Sequence, residues 1–252
     1  MRTSNPALSD KAFIGLPADS TAMTLGGTVN KTAILLALAM ATAMITWNMV
    51  YQPVPAGDGM LTINPLVMPL MIGGAIGGLV FALIGIFAKK TTPYVAPLYA
   101  LAEGLFLGAV SALFELRYPG IVIQAVGLTF GTLFALLMAY KSGLIKATEN
   151  FKLGIVAATG AICLLYLVNL GMNMFGSSGI GFIHDSGPIG IGFSLFVVTI
   201  AALNLVLDFD FIENGVEAGA PKYMEWYGAL GLMITLVWLY LEFLRLLAKL
   251  RE

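Results

Sequence analysis

Long apolar stretches dominate the pattern of hydrophobic and polar positions along this chain. Five runs contain no Asp, Glu, Lys or Arg, and each exceeds the roughly 20 residues that a helix needs to cross a bilayer. These runs are Thr32–Gly57, Gly59–Ala88, Tyr118–Tyr140, Leu153–Ile183 and Ser186–Leu207. Two further stretches have the same length and hydropathy but carry charge, one at Glu103 and the other at Glu242 and Arg245. The pattern therefore predicts seven transmembrane helices.

The predicted fold is an all-α bundle of seven transmembrane helices. A polar cytosolic tail, 1–30, precedes the membrane domain, 31–248, and a short tail, 249–252, follows it. The predicted spans are Lys31–Tyr51, Leu66–Phe87, Tyr94–Leu113, Ile121–Tyr140, Leu153–Phe175, Ile189–Asp208 and Tyr227–Leu247.

Composition supports the membrane class and argues against several others. Hydrophobic residues make up 59% of the chain and charged residues 11%, whereas soluble proteins have about 25% charged residues. The net charge of -1 offers no basic patch for nucleic acid, so the bilayer is the first partner that we expect. Cys163 and His184 are the single residues of their types, and they predict neither a disulfide nor a transition-metal site. No resident cofactor is predicted.

Lysine and arginine positions give the orientation. With seven spans, nine basic residues fall on one side, which the positive-inside rule makes cytosolic together with the N-terminus. We therefore expect a multi-pass protein of the plasma membrane. Arg245, Lys249 and Arg251 would then lie outside, against the rule. The alternative is a re-entrant last segment, which would return the C-terminus to the cytosol. The nine are Arg2, Lys11, Lys31, Lys89, Lys90, Lys141, Lys146, Lys152 and Lys222.

Pairs of glycines four residues apart occur in the second and third spans. Such pairs allow helix backbones to approach closely in membranes. We interpret them as packing sites between helices rather than as parts of a gate. The pairs are Gly73 with Gly77, Gly74 with Gly78, and Gly104 with Gly108.

Glu103 is the first candidate for a functional site. It lies about ten residues from either end of its span, which places it ~15 Å deep and near the middle of the bilayer. An ionised carboxylate facing lipid there is costly, so we expect Glu103 to face the bundle interior or water. The structural alternative is a protonated acid hydrogen-bonded to Asn169 or Asn204.

Asp208 and Asp210 form the second candidate, at the predicted cytosolic end of the sixth span. Residues two apart on a helix point about 200° apart, so we expect only one of them to face the bundle. A carboxylate at a helix C-terminus meets the unfavourable end of the helix dipole, which predicts a proton-sensitive group. The alternative is that both residues begin the aqueous loop after the span.

Glu242 and Arg245 are three residues apart near the outer end of the last span, so they share a helix face and are expected to pair. We interpret them first as an interfacial ion pair. The chain contains no P-loop, Rossmann glycine pattern or H-E-x-x-H sequence. We therefore do not expect an enzyme.

Several of these segments resemble the Bax inhibitor-1 family, the transmembrane Bax-inhibitor-motif proteins. Glu103–Gly104 with Leu107–Gly108 is similar to the third span of the family. The Arg2–Pro6 start resembles a bacterial branch. The sixth and seventh spans carry the rest of the resemblance, in Leu207–Ile212, Ala229–Leu232 and Tyr240–Leu247.

The resemblance implies a seven-helix bundle whose last helix is central and which acts as a pH-sensitive calcium leak. In characterised members, two aspartates on the sixth and seventh helices sense protons. Asp208 matches the first of them. The second position, ten residues before Arg245, is Thr235 in this chain, which departs from the paired-acid pattern.

Two functional hypotheses follow. The first is a cation leak with Ca²⁺ as the leading permeant ion, in which Asp208 and Glu103 line the path and Ca²⁺ binds at Asp208. The second is a non-transporting bundle that binds membrane proteases or stress-response proteins, which the lack of a second aspartate favours. Asp210, Glu242 and Arg245 are secondary site candidates.

Overall fold

The computed structural model describes residues 22–52, 54–55, 61–175 and 179–252. Seven of its helices are long and apolar enough to cross a membrane, which confirms the predicted all-helical fold. A short helix, α6, and two paired two-residue strands in the α1–α2 connection complete the described elements. The helices are α1 Leu25–Tyr51, α2 Val67–Phe87, α3 Thr92–Arg117, α4 Ile121–Lys141, α5 Glu149–Met174, α6 Gly181–His184, α7 Pro188–Glu217 and α8 Met224–Lys249. The strands are β1 Val54–Pro55 and β2 Leu61–Thr62, antiparallel with Val54 opposite Thr62.

The ends of the helices differ most from prediction in α1 and α7. Helix α1 begins at Leu25, six residues before the predicted start. Helix α7 continues to Glu217, so the prediction that the sixth span ends at Asp208 is wrong. The Arg2–Pro6 segment lies outside the described residues. Helix α8 is unbroken over 26 residues, about 39 Å at 1.5 Å per residue, which is long enough to cross and favours a spanning segment over a re-entrant one.

Local contacts explain where several helices begin. Thr24 caps α1, because its Oγ1 accepts a hydrogen bond from Gly27 N at 2.9 Å and so satisfies a donor of the first turn. The connection between α3 and α4 is three residues long and ends at Gly120, whose φ of 81° is a left-handed conformation that favours glycine. The Glu115 carboxylate accepts a hydrogen bond from Val122 N at 3.0 Å, which satisfies a donor in the first turn of α4.

The chain divides into two compact units. The N-terminal unit contains the described part of residues 15–122, with α1, α2 and α3, and also Ile212–Ile234. The C-terminal unit contains the described part of residues 123–211 together with Thr235–Glu252. Helix α8 has the largest buried share of the seven long helices, with half of its apolar stretch buried.

Glycines bring three helices of the N-terminal unit into close contact, which confirms a packing role for Gly74, Gly78, Gly104 and Gly108. The prediction is wrong for Gly73, where an added Cβ would meet no atom within 4 Å. A Cβ added at Gly104 or Gly108 of α3 would overlap the carbonyl oxygen of Ala39 or Ala43 in α1. On another face of α3, a Cβ at Gly74 of α2 would lie 2.6 Å from the Ala102 carbonyl oxygen. Helix α3 therefore packs backbone-close against both α1 and α2.

An apolar core joins α5 and α7 in the C-terminal unit. Beyond this core, large apolar side chains such as Phe134, Met138 and Ile189 are exposed, which suits helices that are surrounded by lipid. The buried core residues are Ile155, Ile162, Val197, Ile200 and Leu207.

Candidate functional site

Asp208 lies inside α7, nine residues before the helix ends at Glu217. We expected the dipole at the helix C-terminus to act on the Asp208 carboxylate. That expectation is wrong, because the influence of the dipole is confined to the last turn of a helix. Asp208 is 8% exposed, and the Thr235 hydroxyl of α8 hydrogen-bonds to its carboxylate. The family resemblance alone aligned Thr235 with the second acid position, and the structure places the two side chains in contact.

One oxygen of this carboxylate is unsatisfied. Asp208 Oδ2 is buried and has no hydrogen-bond partner among the residues that the structure describes. The large majority of buried side-chain polar atoms in proteins have a hydrogen-bond partner, so an exception needs an explanation. Leu207 beside it belongs to the apolar core of the unit, where an unpaired charge is costly.

Asp210 has a different environment. Its Oδ2 lies 2.6 Å from Lys152 Nζ of α5, and Glu149 lies 3.7 Å from the same ammonium group. The alternative that Asp210 begins an aqueous loop is wrong, because the residue is helical and mostly buried. The expectation that only one of the two acids faces the bundle is wrong, since Asp208 contacts α8 and Asp210 contacts α5.

Glu242 is the least exposed carboxylate among the described residues of the C-terminal unit, at 1% exposure. Its Oε1 accepts hydrogen bonds from Arg245 Nη1 at 2.8 Å, Tyr166 Oη at 3.1 Å and Trp238 Nε1 at 3.2 Å. Tyr166 also lies 3.3 Å from Oε2. The predicted Glu242–Arg245 pair is confirmed, but the carboxylate is buried among donors from α5 and α8 and is not at an exposed surface.

Lys249 was not predicted as a site residue, although it is buried at 8% exposure. Its ammonium group donates hydrogen bonds to the carbonyl oxygens of Ile183 at 2.8 Å and Gly190 at 3.0 Å. These oxygens belong to α6 and to the first turn of α7. Lys249 therefore links the end of α8 to α6 and to the start of α7.

The polar residues of α8 that face this unit form one stripe along the helix. They follow one another at intervals of three and four residues, the spacing that keeps side chains on one face of an α-helix. We call this set the α8 stripe, and it runs about 21 Å at 1.5 Å per residue. It consists of Thr235, Trp238, Glu242, Arg245 and Lys249.

Glu103 lies near the middle of α3 in the N-terminal unit and is 8% exposed. Its carboxylate rests over Gly78 of α2, where an added Cβ would overlap Oε2. Glu103 therefore faces the α2–α3 contact, as its depth predicted. The two amides proposed as its partners make hydrogen bonds in the C-terminal unit: Asn169 Oδ1 accepts from Ile180 N, and Asn204 Nδ2 donates to Thr159 Oγ1.

Glu225 is the buried carboxylate that sequence reasoning missed. It is fully buried at the start of α8, and it accepts hydrogen bonds from Thr24 N and Thr24 Oγ1, both at 2.9 Å. Lys31 of α1 and Lys222 form ion pairs with it, the latter at 3.0 Å. With both oxygens satisfied, Glu225 joins the starts of α1 and α8 and is a structural group. The signal in the sequence was its position, three residues after Lys222.

Seven apolar helices with buried carboxylates on α3, α7 and α8 define a polytopic α-helical membrane protein. A family model described as Bax inhibitor 1 like matches residues 5–252. The chain therefore belongs to the Bax inhibitor 1-like family, as the resemblance predicted. No curated protein and no solved structure matched the chain.

Proposed function

We propose that this protein is a passive cation leak, with Ca²⁺ as the leading permeant ion, and that Asp208 is the carboxylate that binds the cation or a proton. The observation that supports this proposal is the buried Oδ2 of Asp208, which has no hydrogen-bond partner in the described part of the chain. A bound cation or a proton would supply the partner that this oxygen lacks. Membrane-embedded carboxylates of this kind mark ion and proton pathways.

The residues around Asp208 suit a transient cation site. Ca²⁺ binds six to eight oxygen atoms, and here one carboxylate and the Thr235 hydroxyl offer few of them. Such a site binds weakly, which lets an ion leave as well as enter. A proton on Asp208 removes the charge that attracts the cation, so protons and cations compete for one group. This competition is the proposed origin of pH-dependent gating.

Calcium flux into proteoliposomes, measured with an entrapped indicator at several pH values, tests the proposal. We expect Asp208→Asn to lower the flux and to remove its pH dependence. Asp210→Asn is the matched control, because it makes the same chemical change two residues away on the same helix, at a group paired with Lys152. If Asp208→Asn leaves both the flux and its pH dependence unchanged, the mechanism is wrong.

Glu103 is proposed as a second carboxylate of the ion path, and it is tested separately because it lies in the other unit. Glu103→Gln keeps the size of the side chain over Gly78 and removes its charge. We expect a lower flux with unchanged thermal stability. Equal flux in both proteins would assign Glu103 a packing role only.

The second functional candidate is a non-transporting regulator of membrane proteases or stress-response proteins. Thr235 favours it, since a hydroxyl cannot share a proton with Asp208 as a second carboxylate would. No flux from the purified protein, together with a protease recovered by mild-detergent pull-down, would select this candidate.

We propose the plasma membrane as the location. We also propose a cytosolic N-terminus, because the positive-inside rule assigns the side that holds Lys89, Lys90, Lys141 and Lys146 to the cytosol. Single cysteines introduced near Lys146 and near Gly120, in a Cys163→Ser background, test the orientation. We expect an impermeant maleimide to label the Gly120 site in intact cells and the Lys146 site only after lysis. The reverse pattern would invert the topology.

A further inference from the structure

Glu242 is a buried carboxylate that the proposed mechanism does not use. It lies seven residues after Thr235 on the α8 stripe, about 10 Å along the helix from the contact with Asp208. It belongs to the same unit as Asp208. A cation that leaves Asp208 along the α8 stripe would therefore meet Glu242 next.

The positive partner of Glu242 is a partly exposed side chain. The ion pair that the structure describes joins one guanidinium nitrogen, Arg245 Nη1, to one carboxylate oxygen, Oε1. Arginine binds a carboxylate most strongly through two parallel contacts. Arg245 is also 48% exposed, whereas Glu242 is 1% exposed. The Arg245 side chain thus stays about half exposed in the pair, and its one further described contact is with the ring face of Tyr166, 5.3 Å from Cζ.

The other contacts of Glu242 keep the carboxylate in place without Arg245. Tyr166 Oη spans both carboxylate oxygens, at 3.1 and 3.3 Å, and Tyr166 is itself packed edge-on against Phe193 of α7. The phenol oxygen also has lone pairs that can face a cation. Departure of Arg245 would thus leave a positioned carboxylate beside a neutral oxygen ligand.

We propose that Glu242 is a second cation site and that Arg245 is a tethered cation that occupies it when no free cation is bound. The site would take a hard inorganic cation, Ca²⁺ before Na⁺, since all of its ligands are oxygens. The inference rests on the proposed function for its place in a path, but the binding event itself requires no flux. Arg245 and the cation compete for the same carboxylate charge.

Trp238 provides a built-in reporter, because its indole Nε1 donates a hydrogen bond to Glu242 Oε1 at 3.2 Å. The chain has three tryptophans, so replacing Trp47 and Trp226 with phenylalanine leaves Trp238 as the sole tryptophan, which is excited selectively over the nine tyrosines. Purified protein in this background is titrated with CaCl₂, and NaCl at matched ionic strength serves as the control. We expect a saturable change of Trp238 emission with Ca²⁺ alone.

Three variants in the same background locate the site. Arg245→Gln should lower the Ca²⁺ midpoint about two- to fivefold, the range that measured contributions of partly exposed ion pairs imply. Arg245→Lys, which keeps the competing charge, should stay within about twofold of the parent protein. Glu242→Gln should abolish the response. If Glu242→Gln does not fold, the comparison of Arg245→Gln with Arg245→Lys still decides the question.

The outcomes separate this inference from the proposed function. A response that is equal in NaCl, that survives Glu242→Gln, or that is absent from both the parent protein and Arg245→Gln overturns the second site. If Asp208-dependent flux persists in that case, the proposed function still holds. A Glu242-dependent response in a protein that conducts no Ca²⁺ supports the site and contradicts the leak.

Discussion

Alanine at Gly108 tests the close contact between α1 and α3. The added Cβ would lie 2.6 Å from Ala43 Cα and would also overlap the Ala43 carbonyl oxygen. Ordinary carbon contacts are about 3.5–4.0 Å, so the helices would have to separate by roughly 1 Å. Backbone atoms cannot rotate away as a side chain can. Overpacking of this kind costs about 1–3 kcal/mol.

Helix propensity acts in the opposite direction, since alanine is favoured over glycine by about 1 kcal/mol inside a helix. Gly127→Ala is the matched control, because a Cβ at Gly127 of α4 meets no atom within 4 Å. Gly127→Ala should therefore gain only the stability that comes from the higher helix propensity of alanine. The difference in stability between the two variants therefore isolates the steric cost, about 1–3 kcal/mol.

Apparent melting temperature in a mild detergent measures this difference. At about 2–4 °C per kcal/mol for chains of this size, Gly108→Ala should melt about 2–12 °C below Gly127→Ala. Equal melting temperatures for the two variants would refute the close packing of α1 and α3.

Three further predictions concern the buried charged groups. Glu225→Gln removes the charge that compensates Lys31, so the unfolding free energy should fall by about 3 kcal/mol; an unchanged melting temperature would contradict this. Thr235→Asp places a second carboxylate against Asp208. Because two acids that share a proton titrate in coupled steps, the plot of flux against pH should show two steps instead of one. Lys249→Met leaves buried carbonyl groups without their donor and should lower stability by about 1–3 kcal/mol, which chemical denaturation in detergent would show as a lower midpoint.

The fold was largely predictable because a bilayer restricts what apolar segments can do. Backbone groups inside lipid must be satisfied within the segment, so a long run without charge is a helix. The same reasoning failed at the end of α7, where Asp208 and Asp210 looked like the start of a loop. A charge ends a span only when it lacks a partner in the protein. Lys152 on α5 and Thr235 on α8 are those partners, and both are distant in sequence.

The candidate site was predicted in part, for a related reason. Glu103 and Asp208 were identified because their depth and their family position can be read along the chain. The burial of Glu242 depends on Tyr166, 76 residues away, and that of Glu225 on Lys31, 194 residues away. Neither partnership has a local signal. The pairing of Glu242 with Arg245 was predictable because it spans one helical turn.

The α8 stripe gives this helix a fixed angular register. One turn takes 3.6 residues, so a single inserted residue rotates everything beyond it by 100°. An insertion between Thr235 and Trp238 would keep the Asp208 contact and turn Glu242, Arg245 and Lys249 away from Tyr166 and the α6–α7 connection. Evolutionary change in α8 is thereby limited to substitutions and to insertions or deletions of whole heptads. A natural relative with a one-residue gap in this helix would have to replace every contact of the stripe at once.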